Sequence, residues 1–343
     1  MEHPLSRLTT TAARHGTASR GPGRGRGPGR GGAGRGWIRP ALAGLGIFLL
    51  TAGLLLRFYA APRLVATPAS IYQTDTLVAR NASYFDQGTL TARRGVTLTL
   101  TATVRGDPAA STSQIAVWDS FTALADRARK ALVISTYQRA AFNRRTGELV
   151  SCCGAAVNDD TGIRQRGIGL AWPIGVRRAT YQVFDTNTER AWPAVYAGQR
   201  RVQGVLTYRF VQHIPATVVQ QLPGVPISLL GLRGPARSVV ADRSFQGDVT
   251  FWVDPRTGVL IDQEERGRSV LRGPGGRGEL VAADFDLRMS ASSRRQLAAL
   301  ADKNAASLAA VRTTGPLGGI TLGLLLTLAG TTPLPRRRKA RLP

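Results

Sequence analysis

The sequence predicts a mainly β external domain, an antiparallel sheet either open or barrel-like, with a C-terminal amphipathic helix and two transmembrane α-helices as anchors. Three observations carry this reading. An apolar run lies near each end of the chain, arginine flanks both runs on their terminal side, and stretches of the roughly 250 residues between them alternate apolar and polar side chains with a period of two. The expected organisation is a basic Gly/Arg-rich tail over 1–37, a first span over 38–59, an extracytoplasmic β-rich domain over 60–289, a juxtamembrane helix over 290–312, a second span over 313–335 and a basic tail over 336–343.

The N-terminal tail is almost entirely Gly, Arg and Pro between Arg20 and Gly36, a composition that buries no apolar surface and predicts disorder. Its glycines superficially suggest a phosphate-cradling loop. No strand precedes them and no helix opens from them, so neither a dinucleotide site nor specific nucleic-acid binding is expected. Ile38 to Tyr59 then provides 22 residues of helix, about 33 Å at ~1.5 Å per residue, with Trp37 before it and Phe58 and Tyr59 at its far end. Arg57 follows the apolar stretch at once and no small-residue cleavage pattern sits beside it, so a retained anchor is expected in place of a cleaved signal. Short basic flanks stay on the cytoplasmic side. The expected location is therefore the plasma membrane, crossed twice, with both termini cytoplasmic and the main domain outside. Of the net charge of +25, the first 39 residues carry +7 and the last eight +5, which leaves +13 for the chain between them.

In the middle domain, Val96, Leu98, Leu100, Ala102 and Val104 alternate with Thr97, Thr99, Thr101 and Thr103, and Ala283, Phe285, Leu287 and Met289 alternate with Asp284, Asp286 and Arg288. Both patterns predict strands with one dry and one wet face, the habit of antiparallel sheet. Leu132–Phe142, Thr180–Phe184 and Val202–Gln212 read as further strands. Asn143-Arg144-Arg145-Thr146-Gly147 and Asp254-Pro255-Arg256-Thr257-Gly258 predict two hairpins of one kind, each starting a type I turn and placing Gly at the left-handed position. After the last strand, Ser290 or Ser292 is expected to cap a helix whose Leu297, Leu300, Asn304, Leu308 and Val311 share a face. Pro316 is expected to kink or break that helix before the second span. Gly319 and Gly323 form a small-xxx-small pair on which the first span could pack.

Candidate site residues are few. Cys152 and Cys153 are adjacent and are the only cysteines, which leaves open a vicinal disulfide, a bond between chains or two free thiols. From Ile214 to Ala236 seven prolines and glycines interrupt an apolar stretch and predict an irregular excursion from the sheet. Its Val218, Leu222, Ile227, Leu229, Leu230 and Leu232 are candidates for a flap over an apolar ligand or for a loop on the domain's own core. Trp172 and Trp192, each in an Ala-Trp-Pro step, are candidate groove aromatics. His213 reads as a packed or surface side chain, Asp159-Asp160 as a turn, and Asp185 to Glu189 as a hairpin turn in place of a calcium loop. With no nucleophile elbow, metal helix or spaced Cys/His set, no enzyme activity, cofactor or metal is expected.

Several short motifs together resemble a known family: Leu56-Arg57-Phe58-Tyr59, Cys152-Cys153-Gly154, Tyr181-Gln182-Val183-Phe184-Asp185, Ala191-Trp192-Pro193, Tyr208-Arg209-Phe210 and Trp252-Val253-Asp254-Pro255-Arg256-Thr257-Gly258. In these the chain is similar to the actinobacterial porin PorA family over residues 40 to 338. The resemblance implies an architecture and no catalytic residue, and much of the family carries an unknown-function label. The expected role is an envelope protein, integral to the lipid membrane, that handles a hydrophobic or lipid-like ligand. The alternatives are a scaffold contacting wall polymer or partner proteins, and a pore. Oligomeric state is left open.

Overall fold

The computed structural model describes residues 37–61 and 65–332; the expected disordered tail and the C-terminal basic tail lie outside them. Helix α1 (Ile38–Leu55) runs into a single wide turn, Leu56–Ala60. Eleven strands follow: β1 (Tyr72–Asp86), β2 (Thr91–Gly106), β3 (Ile115–Asp126), β4 (Ala131–Asn143), β5 (Ala156–Val157), β6 (Tyr181–Asp185), β7 (Arg190–Val202), β8 (Val205–Pro226), β9 (Ser238–Val253), β10 (Leu260–Arg272) and β11 (Glu279–Met289). Helix α2 (Ala291–Ala309) continues through a wide turn, Ala310–Thr314, into α3 (Gly315–Thr331).

The strands form one antiparallel sheet in the order β5-β4-β3-β2-β1-β11-β10-β9-β8-β7-β6. Every neighbour is consecutive in sequence except β1 and β11, which meet mid-sheet with Leu77 opposite Met289 and Tyr84 opposite Ala283. The sheet curls into a half-barrel. Its two edges are stitched at one level by the segment between them: Leu149 N–H donates to Gly167 O, Ile168 N–H to Gln182 O and Phe184 N–H to Ile168 O, at 2.7, 2.7 and 2.8 Å. The predicted alternation holds. Val96 and Leu98 are buried and Leu100, Ala102 and Val104 face inward, while Asp284, Asp286 and Arg288 face outward. There Arg266 and Arg268 pair with Asp286, Asp284 and Glu279 across β10 and β11.

Four corrections follow from register and packing. Val202–Gln212 is not one strand: a turn at Gln203-Gly204, both with positive φ, separates β7 from β8. Ile214 to Ala236 leaves the sheet only in its second part: β8 continues through Ile214 to Pro226, and the irregular stretch is confined to 227–236. Pro215 and Pro223 fall inside register shifts, Ile214/Thr217 and Leu222/Val225, and a bulge is where a ladder hydrogen bond is already missing. Pro316 does not break the helix. The wide turn ahead of it has Gly315 N–H bonded to Ala310 O, five residues back, and Pro316 falls in the first turn of α3, where its missing donor matters little. Finally, of the two predicted glycines only Gly323 sits in a tight contact.

The helix pair packs on glycines spaced seven apart. An added Cβ at Gly323 would lie 2.7 Å from Gly46 O and from Leu50 N, one at Gly330 2.6 Å from Ala43 N, and one at Gly53 2.9 Å from Ile320 Cγ1; at Gly319 the nearest atom is an ordinary 3.5 Å away. Seven residues are nearly two turns, so Gly46 and Gly53 on α1 share one face and Gly323 and Gly330 on α3 share another. Arginines clasp both ends: Arg39 donates to Thr332 O, and Arg57 to Arg312 O. Ile38–Ala60 and the continuous helix Ala291–Thr331 are each long and apolar enough to cross a membrane.

Helix α2 is fastened to the sheet. Ser290 caps it, accepting from Ser293 N at 3.1 Å, so of the two expected serines the first is used. Ser293 Oγ accepts from Thr76 N, Arg294 reaches Asp262 at 3.4 Å, and Arg256 in the β9–β10 turn pairs with Asp302 at 2.9 Å. Leu297, Ala298 and Ala301 are buried against the sheet.

Candidate functional site

Between the concave face of the sheet and α2 lies a cavity of about 710 Å³, within the size range of small-molecule sites. Period-two alternation aims its wall inward: Leu77 from β1, Leu100 from β2, Leu124 from β3, Ile134 from β4, Val249 and Phe251 from β9 and Phe285 from β11. Helix α2 supplies Leu297, Leu300, Asn304 and Leu308, four of the five residues predicted to share a face, and the segment before β1 adds Ala66, Thr67, Pro68, Ser70 and Ile71. A second groove, about 750 Å³, lies outside the sheet. It is shallow, and its Arg266, Arg268, Asp284 and Asp286 are already paired with one another.

The cavity is not wholly apolar. Asp75, Asp185 and Glu265 line it, with Gln73, Gln212 and Gln263. Gln212 is fixed by donating to Val183 O at 2.7 Å and Trp192 O at 3.2 Å. Burial, aided by the nearby charge of Asp185 and opposed by a hydrogen bond from Gln263, pushes the Glu265 carboxyl up to about 7. Burial likewise raises Asp75, against a hydrogen bond from Gln73.

The two predicted hairpin turns have one geometry and one task. Gly147 N–H bonds Asn143 O and Gly258 N–H bonds Asp254 O, both at 2.9 Å, with φ of +73° and +76°. A Cβ on Gly147 would stand 2.5 Å from Ala171 O, and one on Gly258 2.6 Å from Trp172 O. The twin turns thus clamp the Ala171-Trp172-Pro173 step against the cavity, where the Trp172 ring meets Phe210, Tyr181 and Phe251 at 4.8, 5.4 and 5.5 Å. Gly258→Ala combines a left-handed backbone with a carbonyl overlap and is expected to lower stability by about 2 kcal/mol. Chemical denaturation of the purified protein reads it, and an unchanged midpoint removes the clamp.

Of the predicted site residues, Trp172 lines the cavity. Trp192 packs beside the core and donates to Thr188 Oγ1 at 2.9 Å. None of the six flap candidates lines the cavity: Leu222, Leu230 and Leu232 form a satellite cluster with Ala241 and Leu271, Ile227 and Leu229 are half-buried in the turn after β8, and Val218 is exposed. Cys152 and Cys153 are bonded to each other, on an exposed turn where Cys153 and Gly154 both take positive φ. His213 is a surface side chain, 2.8 Å from Asp248. Asp185 accepts from Thr188 N and Oγ1 within a hairpin turn. Among the described residues no group of three or more His, Cys, Asp or Glu is placed to hold a metal.

Sequence reasoning missed Glu265 and Asp75. The β9–β10 hairpin gains a residue after its turn, where Leu260 faces Val253 but Asp262 faces Trp252. Without that bulge Glu264 would share a face with Val249; with it, Glu265 does.

A family model described as porin PorA matches residues 40–332. The chain belongs to the porin PorA family. No curated protein matches the chain. Family membership and the two apolar helices together fit a membrane-integral envelope protein.

Proposed function

We propose that this PorA-family protein is a non-catalytic, two-pass envelope protein whose external domain holds a lipid-like amphiphile in the cavity of its half-barrel. One observation carries the reading: the apolar wall is shared between the sheet and α2 and extends to Ala66 and Leu308, each a few residues along the chain from the helix pair. An acyl chain leaving the outer leaflet would meet apolar surface at that point. In this reading arginine keeps both termini in the cytoplasm.

Ala102 projects into the cavity from β2. Ala102→Trp is expected to fill part of it while the sheet keeps its hydrogen bonds, and mass spectrometry of gently solubilised protein is expected to find lipid on the wild type and at least tenfold less on the variant. Lipid-free wild type contradicts the proposal. A reporter enzyme fused after Pro343 tests the topology; activity only outside the cell would reverse it.

The family's description favours one other reading, a pore. A transmembrane barrel needs an apolar outer band, whereas the outer faces here carry threonines and ion pairs. Channel conductance in planar bilayers at low protein load would favour the pore.

A further inference from the structure

The cavity inverts the charge of the protein that surrounds it. The chain carries 46 Lys and Arg against 21 Asp and Glu, yet among the described residues no Lys or Arg lines the cavity, while Asp75, Asp185 and Glu265 do. General avoidance of buried charge does not explain this, because avoidance would exclude both signs. Outside, carboxylates pair with arginine, as Glu279 does with Arg268 and Arg272 at 2.8 Å. Inside, the neighbours are amides: Gln73 donates to Asp75, and Gln263 donates to Glu265 at 3.4 Å.

Resting on the lipid-like reading above, we infer that the ligand's polar end is an uncharged, hydroxyl-rich head group, as in a glycosyl lipid, and that anionic phospholipids are rejected. A phosphate entering the cavity would meet carboxylates and no cation, in surroundings where water screens little. A primary ammonium head only donates: it could serve the carboxylates, but not the second N–H of each glutamine amide, whose first already goes to a carboxylate. Hydroxyls both donate and accept, which matches alternating carboxylates and amides. Burial of Glu265 reinforces the match, since a carboxyl protonated for part of the time near neutral pH also donates.

The test is a competition, read by native mass spectrometry on the purified full chain in a detergent without a sugar head. Equimolar glucosyl-diacylglycerol, phosphatidylglycerol and a lipid with a primary ammonium head are offered, all with the same chains. The glucosyl lipid is expected to occupy the protein at least tenfold over phosphatidylglycerol and above the ammonium lipid. Glu265→Gln, which preserves shape, is expected to reduce the preference over phosphatidylglycerol several-fold, and Glu265→Lys to reverse it, with thermal melts showing that both variants fold. Equal or stronger binding of phosphatidylglycerol, or first place for the ammonium lipid, overturns the inference and leaves the cavity reading standing. Failure of the wild type to retain any of the three overturns the cavity reading itself.

Discussion

Replacing Glu265 by Gln is expected to stabilise the protein at pH 8 by up to about 3 kcal/mol and to leave it nearly unchanged at pH 4. The carboxyl is raised from 4.5 to about 7 in the folded chain, chiefly by burial, and each unit is worth ~1.4 kcal/mol. The folded state therefore holds this proton more tightly than the unfolded state does. Below the unfolded value both states are protonated and the group imposes no penalty. As pH rises from about 4.5 to about 7 the unfolded chain releases the proton and the folded chain resists, so stability falls; above about 7 the penalty is complete. The amide carries no such term. Melting temperature against pH measures the difference, and parallel curves for the two proteins would show that Glu265 does not feel its enclosure. An acidic group kept at this cost inside a cavity is the kind of residue functional sites retain.

The second large effect is expected in the helix pair. At Gly323 a side chain has no room, with Gly46 O and Leu50 N both 2.7 Å from where a Cβ would sit. Gly323→Leu should force α1 and α3 apart at a cost of about 1–3 kcal/mol or more, since backbone atoms cannot rotate out of the way. Gly318 has nothing within 4 Å of the same position, so Gly318→Leu serves as the matched control. Cysteines placed at Leu50 and Thr327 in a background lacking Cys152 and Cys153 report the separation by cross-linking. Equal cross-linking in both variants would remove the glycine seam.

How much of this was legible beforehand depended on whether the pattern was local. Strict alternation in β2 and β11, the two glycine-terminated turns and the apolar face of α2 each follow from a few neighbouring side chains and stand as read. The continuity of β8 was hidden because proline punctuates a strand unless a bulge absorbs it, and bulges follow from the partner strand, here β9. The carboxylates in the cavity were hidden for the same reason: one extra residue near Leu260 decides whether Glu264 or Glu265 points inward. The heptad spacing of Gly46, Gly53, Gly323 and Gly330 was visible in each run, but its meaning required knowing that the two runs touch. Trp172 was singled out, but not the reason for its rigidity, because the turns that clamp it lie 25 residues before and 86 after it in the chain.

The adjacency of β1 and β11 orders events during biosynthesis. Each other pairing of long strands joins neighbours in the chain, so β1 to β4 and β7 to β10 can zip as two independent meanders before synthesis is complete. The mid-sheet seam closes only when Glu279–Met289 arrives, nearly 200 residues after its partner, and that loop closure carries the entropy of the whole domain. Until then the greasy inner faces of both halves stand uncovered, a window in which chaperones would be needed most.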